Sequence, residues 1–162
     1  MKIRRTWVVV IFSVGLVLFV IWVAEQPERE HAGRESTCDS SLWEHVYRRE
    51  RLRVIEPCKV VEGRVRHIQQ EADGDLHIRL AVEDKSLLTE NNFSFQHGDL
   101  VVEVICVNPP TSRDAIEACR GFTQSLPIPT VGDSVRVIGA YVLDKQHSWT
   151  ELHPVTQLEL LR

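Results

Sequence analysis

Apolar residues alternate with polar ones along short stretches of the chain, the pattern expected of half-buried β-strands. The alternation is clearest over Leu76–Glu83, where leucine, isoleucine and valine share one face and His77 and Arg79 share the other. It follows the tight-turn signal Asp73-Gly74, which predicts a hairpin with the preceding strand. The full pattern predicts five strands: Lys59–Gln70, Leu76–Glu83, Leu100–Val107, Val135–Leu143 and Trp149–His153, the last with a loose extension to Leu161.

The last two predicted strands form a second hairpin and carry the densest group of reactive side chains. The first of them is apolar on both faces, which predicts a largely buried strand. In the other, Trp149, Glu151 and His153 share one face, so the acid and the imidazole stand roughly 7 Å apart along the strand. Asp144 and His147 lie in the turn between the strands. We therefore expect a functional site to lie here first.

Two further stretches have the signals of short helices. Ser40–Arg53 has a capping serine and an apolar stripe, and we expect residues 40–57 to pack against the sheet as an amphipathic helix that ends by Pro57. Thr111–Arg120 begins with a capping hydroxyl, has an early acid and is closed by Gly121. It predicts a helix between the third and fourth strands.

The N-terminal segment Trp7–Ala24 contains no charged residue and follows Lys2, Arg4 and Arg5. Its 18 residues fall within the range of about 17–25 that spans a bilayer,. A basic flank stays in the cytoplasm, which sends the rest of the chain across the membrane. We predict a cytoplasmic tail over residues 1–6, a signal anchor over 7–24 and a polar tether over 25–39.

The alternative is a cleaved signal peptide, whose apolar region is usually about 7–15 residues long. Cleavage after Ala24 would place the bulky Trp22 where a small residue is required. The retained anchor is therefore favoured. Both interpretations place the folded domain outside the cytoplasm, as a single-pass membrane protein or as an exported one.

The four cysteines all follow the apolar segment, and an even number in an exported domain indicates disulfides. Four cysteines allow three pairings. We favour Cys106–Cys119, which would close the third strand onto the segment after it, and Cys38–Cys58, which would tie the N-terminal segment to the first strand. A zinc site is the less favoured interpretation because no two cysteines have the close spacing of such sites.

Charge changes abruptly at the end of the apolar segment. Three of the 19 Lys and Arg residues and none of the 23 acids precede Glu25, which leaves the rest of the chain with a formal charge of −7. Proteins that bind nucleic acid without sequence preference have a basic surface instead, so this class of partner is disfavoured. A local basic cluster (Arg48, Arg49, Arg51, Arg53) is interleaved with glutamates and is interpreted as a solvated helix face.

The predicted order of three strands, a short helix and two strands is that of the OB-fold, a five-stranded Greek-key barrel. The chain resembles OB-fold domains over Lys59–Leu160. It is also similar to a group of small exported or membrane-anchored prokaryotic OB-fold proteins of unassigned function. The matching stretches are Asp73–Leu80, His97–Cys106, Gly132–Asp144 and His147–Val155. The resemblance implies an OB-fold domain over residues 58–162 and no particular reaction, ligand or cofactor.

The residues favour a non-catalytic binding module. OB-folds commonly bind oligosaccharides or oligonucleotides over strands two and three and the flanking loops. Because the net charge of the chain after the apolar segment is negative, we predict a cell-envelope component or a protein partner as the ligand rather than nucleic acid. The predicted ligand-binding residues are His77, Arg79, Asp144, His147, Trp149, Glu151 and His153.

A metal-dependent hydrolase is the alternative. Imidazole and carboxylate groups suit zinc or manganese, and the candidate ligands are Asp75, His77, His147, Glu151 and His153,. Glu151 would then serve as general base. The sequence has no nucleophile-elbow motif and no phosphate-binding glycine loop, so we expect neither a catalytic residue nor a cofactor.

Overall fold

The computed structural model describes residues 37–161. The predicted tail and anchor, and most of the tether, lie outside these residues. None of the helices between residues 37 and 161 is long and apolar enough to cross a membrane. The described elements are the strands β1 (Leu52–Gln70), β2 (Leu76–Val82), β3 (Leu100–Val104), β4 (Ser134–Asp144) and β5 (Trp149–Leu161), the helix α1 (Glu90–Phe95), and 3₁₀-helices at Ser40–His45, Arg49–Arg51 and Lys85–Leu87.

The five strands form one mixed sheet in the order β1-β2-β3-β5-β4, and β4 pairs back onto β1 so that the sheet closes on itself. All pairings are antiparallel except that of β3 with β5, which is parallel. The expectation of a mainly β domain is confirmed. The long β1 reaches both neighbours because it bends: its register shifts between Val65 and His67 against β2 and on both sides of Glu56 against β4.

Glycine is required where β1 crosses closest to its neighbour. A Cβ atom on Gly63 would lie 2.5 Å from the backbone oxygen of Ala81, which is far inside contact distance. Gly63 pairs with Val82 of β2 and also with Val135 of β4, so it lies where the strand is shared between both partners. The glycine noted in the first predicted strand therefore permits the bend that closes the sheet.

Two apolar clusters flank the sheet. The inner one is enclosed by the ring and is built from alternate residues of all five strands, including Val65, Leu80, Val102 and Leu152. The other lies outside the ring against β4, where Leu42 and Val46 of the N-terminal segment and Leu52 of β1 pack with Ile105 and Val142. The remaining outer face of β2, β3 and β5 is polar, and it carries the site described below.

The N-terminal helix prediction is wrong in type and extent. Residues 40–45 form a 3₁₀-helix. Asp39 is its N-cap, and the Asp39 carboxylate accepts a hydrogen bond from the Ser41 amide at 2.9 Å. Arg48 has left-handed backbone angles that interrupt the helix. Strand β1 already begins at Leu52, and Pro57 lies inside it, within the register shift between Glu56 and Lys59, where no ladder hydrogen bond is needed,.

The helix predicted between the third and fourth strands is also absent, and residues 111–121 form successive turns. Their backbone groups are used by other segments: Ala118 oxygen accepts from the ring of His45 at 2.8 Å, and Ala72 oxygen accepts from the Thr111 and Ser112 amides. The one α-helix of the described chain, α1, lies instead between β2 and β3, and a capping box of Thr89 and Asn92 begins it,.

The disulfide predictions are confirmed. Cys38 is bonded to Cys58, which ties the N-terminal segment to β1, and Cys106 is bonded to Cys119. Cys106 lies two residues after the end of β3 and has a positive φ of 51°, so the second bond holds the chain where it turns away from the sheet. The described residues contain no free cysteine.

Candidate functional site

The polar face of the sheet is organised by strand register. His77 on β2 lies opposite Glu103 on β3, and the next pair on the same face of the sheet is Arg79 with Val101. Val101 in turn pairs with Glu151 on the parallel strand β5. Continuing this register by two residues on each strand places Glu103 of β3 beside His153 of β5. Three neighbouring strands thus present a continuous patch of charged side chains.

A cavity of about 540 Å³ lies over this patch. Its volume is within the range of about 300–1,000 Å³ typical of small-molecule sites. Its basic lining residues are Arg51, His67, His77, Arg79, His97 and His147. Its acidic lining residues are Glu71, Asp73, Glu103, Asp144 and Glu151. The β1–β2 loop and the β4–β5 turn both contribute walls, and Phe95, Gln96 and Trp149 complete it.

His77 and Glu103 form an ion pair at the floor of the cavity. The His77 Nδ1 atom donates to Glu103 Oε1 at 2.8 Å, and Nε2 donates to Gln96 Oε1 at 3.2 Å. Burial alone would lower the pKa of His77, but the hydrogen bond and negative charge of Glu103 outweigh it and raise this pKa to about 9,. Although burial opposes it, the His77 partner holds the pKa of Glu103 below its ordinary value. Both groups are therefore charged at neutral pH.

Beside this pair, Glu151 and His153 are almost completely buried, each with 1% of its surface exposed. The His153 Nδ1 atom donates to Glu151 Oε1 at 3.1 Å, and Nε2 lies 4.0 Å from Asp75 Oδ2. Burial lowers the pKa of His153, but the bond and charge of Glu151 raise it more, so the net direction is upward. Burial raises the pKa of Asp75 to about 8, despite the opposing charge of His153.

A third group lies at the β4–β5 turn. The Asp144 carboxylate is fully buried, accepts from His147 Nδ1 at 2.8 Å and lies 3.3 Å from the Arg51 Nε atom. The His147 ring stacks on Trp149 with centroids 4.2 Å apart and an interplanar angle of 15°. The Trp149 Nε1 atom donates to Glu151 Oε2 at 3.1 Å. The indole is thus held in one orientation at the wall of the cavity.

Four buried polar atoms in or beside the cavity lack a hydrogen-bond partner within the described chain. They are Arg79 Nε, Glu103 Oε2, His153 Nε2 and Arg51 Nε, the last of which still forms an ion pair with the Asp144 carboxylate at 3.3 Å. Unpaired buried polar groups lower stability by about 1–3 kcal/mol each, and proteins usually avoid them. Their concentration at one cavity is the feature that most clearly separates this face from an ordinary surface.

Helix α1 is fixed against β5 by one buried side chain. The Asn92 amide donates to the backbone oxygens of Asp99 and Thr150, at 3.1 and 2.9 Å, and its oxygen accepts from the Thr150 amide at 2.9 Å. The same oxygen accepts from the Thr89 amide at 3.0 Å. This arrangement holds Gln96, the residue after the helix, over His77.

The geometry gives little support to a bound metal ion. In the described part of the chain, one group brings three potential ligand atoms within 4.8 Å of one another, and it consists of Asp75, Cys106 and Cys119. Its two sulfurs are bonded to each other and have no thiolate to offer,. The predicted ligands His77, Glu151 and His153 are instead engaged with neighbouring side chains.

The structure places six of the seven predicted ligand-binding residues around the cavity, and His153 lies beneath it against Glu151. Asp75, proposed only as a metal ligand, is buried behind His153 and accepts from the Cys106 amide at 2.7 Å. Whether these residues bind a ligand stays a prediction.

Sequence reasoning missed Glu103 and assigned Arg51 to a solvated helix face. An acid inside the apolar run Leu100–Ile105 was the available signal for Glu103, because charged residues are rarely buried without a partner,. Arg51 gave no such signal, since its partner Asp144 is distant in sequence.

No protein-family model matches this chain, and no curated protein matches it either.

Proposed function

We propose that this protein is a membrane-anchored, extracytoplasmic OB-fold module that binds a polar cell-envelope ligand or protein partner in the cavity above β2, β3 and β5, without catalysing a reaction. The observation that carries the proposal is the group of desolvated, unpartnered polar atoms that line or adjoin that cavity. Their burial costs free energy in the unliganded protein, and a bound polar molecule would offset this cost.

The strand arrangement supports the OB-fold part of the proposal. The ring order β1-β2-β3-β5-β4, with β1 shared between two neighbours, agrees with a five-stranded Greek-key barrel,. OB-folds bind ligands over strands two and three and the loops after strands one and four. Here the cavity is bounded by His77 and Glu103 of those strands, by Glu71 and Asp73 before β2, and by His147 before β5.

The location outside the cytoplasm rests on two features of the chain. The apolar segment 7–24 with its basic flank favours an anchor,. The two disulfides favour an oxidising compartment, because cytosolic proteins rarely keep such bonds,. An anchor would keep the domain in the cell envelope, where such ligands are found.

The metal-dependent hydrolase is the weaker candidate. It needs at least three ligand atoms directed at one point, and the three imidazoles predicted as ligands, those of His77, His147 and His153, are each hydrogen-bonded to a carboxylate. It also needs an open coordination position beside a general base. Glu151, the candidate base, uses both oxygens, one with His153 and one with Trp149.

Fluorine NMR on Trp149 tests the binding proposal directly. The full chain contains four tryptophans, so 5-fluorotryptophan labelling in detergent micelles gives few signals, and a Trp149→Phe variant assigns the relevant one. We expect a saturable shift of the Trp149 signal on titration with soluble cell-envelope saccharides, and no shift of the Trp43 signal, which belongs to the outer apolar cluster. A Trp149 signal that no envelope fraction moves contradicts the proposed function.

A further inference from the structure

Arg79 has no partner in the described chain, although it lies among acids. Its Nε atom is buried without a hydrogen bond, and it makes no ion pair with any described residue. Each nearby carboxylate already has another partner: Glu103 pairs with His77 through one of its oxygens, and Glu151 uses both of its oxygens, with His153 and Trp149. A partly buried guanidinium left unpaired is costly, because hydrogen bonds to charged groups contribute about 1.5–3 kcal/mol.

The cavity is polarised along the strands. Glu71 and Asp73 lie in the loop after β1, past the pair His77–Glu103, and therefore line one end of the cavity. Arg79 lies one step in the opposite direction, toward the end where Arg51 and Trp149 flank the β4–β5 turn. The acids at that end, Asp144 and Glu151, each already face a basic side chain. A ligand with a negative group is therefore favoured at the Arg79 end and disfavoured at the other.

An unpaired carboxylate oxygen in the floor of the cavity indicates that the ligand also supplies a hydrogen-bond donor. Glu103 Oε2 is buried without a donor, and Glu103 is the diagonal neighbour of Arg79 across β2 and β3, at roughly 7–8 Å,. A hydroxyl group can donate to this oxygen while an anionic group on the same molecule accepts from Arg79. The indole of Trp149 supplies an apolar surface beside them.

We infer that the cavity binds an acidic saccharide, whose carboxylate pairs with Arg79, whose hydroxyl donates to Glu103 and whose ring packs against Trp149. This inference rests on the proposed binding function and adds its chemical class. A nucleotide fits less well because a phosphate chain needs several free cations. In the described chain the other cations of the floor, His77, His153 and Arg51, each face a carboxylate.

Calorimetric titration of the full, oxidised chain in detergent micelles tests the inference. The probes are oligogalacturonate of four units and its fully methyl-esterified form, which differ in charge but hardly in shape. We expect the acid to bind at least about tenfold more tightly than the ester, because only the acid forms a charge-assisted hydrogen bond with Arg79. The preference should disappear in Arg79→Gln and remain in Arg64→Gln, which removes an exposed arginine of β1 outside the cavity.

The outcomes separate this inference from the proposed function. Equal binding of acid and ester, with a shift of the Trp149 fluorine signal in both titrations, overturns the acidic class and leaves the binding module standing. Tighter binding of a nucleoside monophosphate than of the oligogalacturonate also overturns it. Failure of both probes to bind overturns the inference. The proposed function is contradicted as well only if envelope saccharides also fail to shift the Trp149 fluorine signal. An acid preference that survives in Arg79→Gln places the anion elsewhere and equally contradicts the assignment.

Discussion

Replacing His77 with glutamine should change how the stability of the domain depends on pH. Glutamine keeps a donor for Glu103 but removes the positive charge. In the folded protein the pKa of His77 is about 9, because the bond and charge of Glu103 outweigh the effect of burial, whereas an unfolded histidine titrates near 6.5,. The stabilising effect of a raised histidine pKa is complete below the unfolded pKa and is lost as the pH rises through the folded one.

The expected magnitude follows from that difference. A rise from 6.5 to about 9 corresponds to at most about 3 kcal/mol of unfolding free energy,. We expect the advantage of wild type over His77→Gln to be constant below roughly pH 6.5 and to shrink by about 1–3 kcal/mol as the pH approaches roughly 9. Taking the difference between the two proteins removes most of the contribution of Asp75. The raised pKa of that group, about 8, also makes wild type less stable as the pH rises.

The assay is urea unfolding followed by circular dichroism on residues 36–162 with both disulfides intact, at closely spaced pH values. His97→Gln is the control, because this exposed imidazole at the cavity rim has no ion-pair partner among the described residues. Its profile should follow wild type. Parallel profiles for wild type and His77→Gln over the whole range would refute the buried ion pair.

Three further perturbations have defined expectations. Asn92→Ala should lower the unfolding free energy by about 2–4 kcal/mol, because it leaves the Thr150 backbone unpaired,. The control is Ser94→Ala on the exposed side of the same helix, which should change the unfolding free energy by less than about 0.5 kcal/mol,. Equal effects of the two variants in urea unfolding would contradict the role of Asn92 in fixing α1 against β5. Replacing Cys38 and Cys58 together with serine should lower the unfolding free energy by about 3 kcal/mol, because it opens a loop of 20 residues,. The comparison is urea unfolding of oxidised wild type and of the oxidised variant, and an unchanged midpoint would show that the bond is dispensable. A chelator should leave the melting temperature of the purified protein unchanged, and elemental analysis should find metal only below one ion per chain; a stoichiometric ion lost on chelation would instead favour the hydrolase.

The strands were predictable because their signals are local. Alternation over Leu76–Val82 placed His77 and Arg79 on one face, and the structure has them on the face away from the inner core. The same period put Glu151 beside His153, and these two side chains are hydrogen-bonded. Period-2 geometry needs no knowledge of distant partners.

The failures arise where contacts with distant segments decide the backbone conformation. Thr111–Arg120 has good helix-terminal residues, but it forms successive turns whose ends are held by the Ala72 oxygen and by the His45 ring. Pro57 was interpreted as the end of a helix, although a strand with shifting register accommodates it. Propensity is a weak prior in such segments, because tertiary contacts override it.

The composition of the site was only partly accessible for the same reason. Glu103 and Arg51 acquire their roles from His77 and Asp144, which other strands bring close. A sequence shows that a charged residue lies in an apolar run, but it does not show which partner neutralises it. The unpartnered state of Arg79 is a property of the folded structure alone.

The central claim is that the polar cavity on the outer face of β2, β3 and β5 is a binding site. Amide and side-chain chemical-shift mapping with the envelope saccharide that moves the Trp149 signal tests it most directly. We expect the largest changes at His77, Arg79, Glu103 and Glu151, with the outer apolar cluster around Leu42 unaffected. Changes concentrated at that cluster or along the rest of β1, with the cavity residues unmoved, would contradict the account.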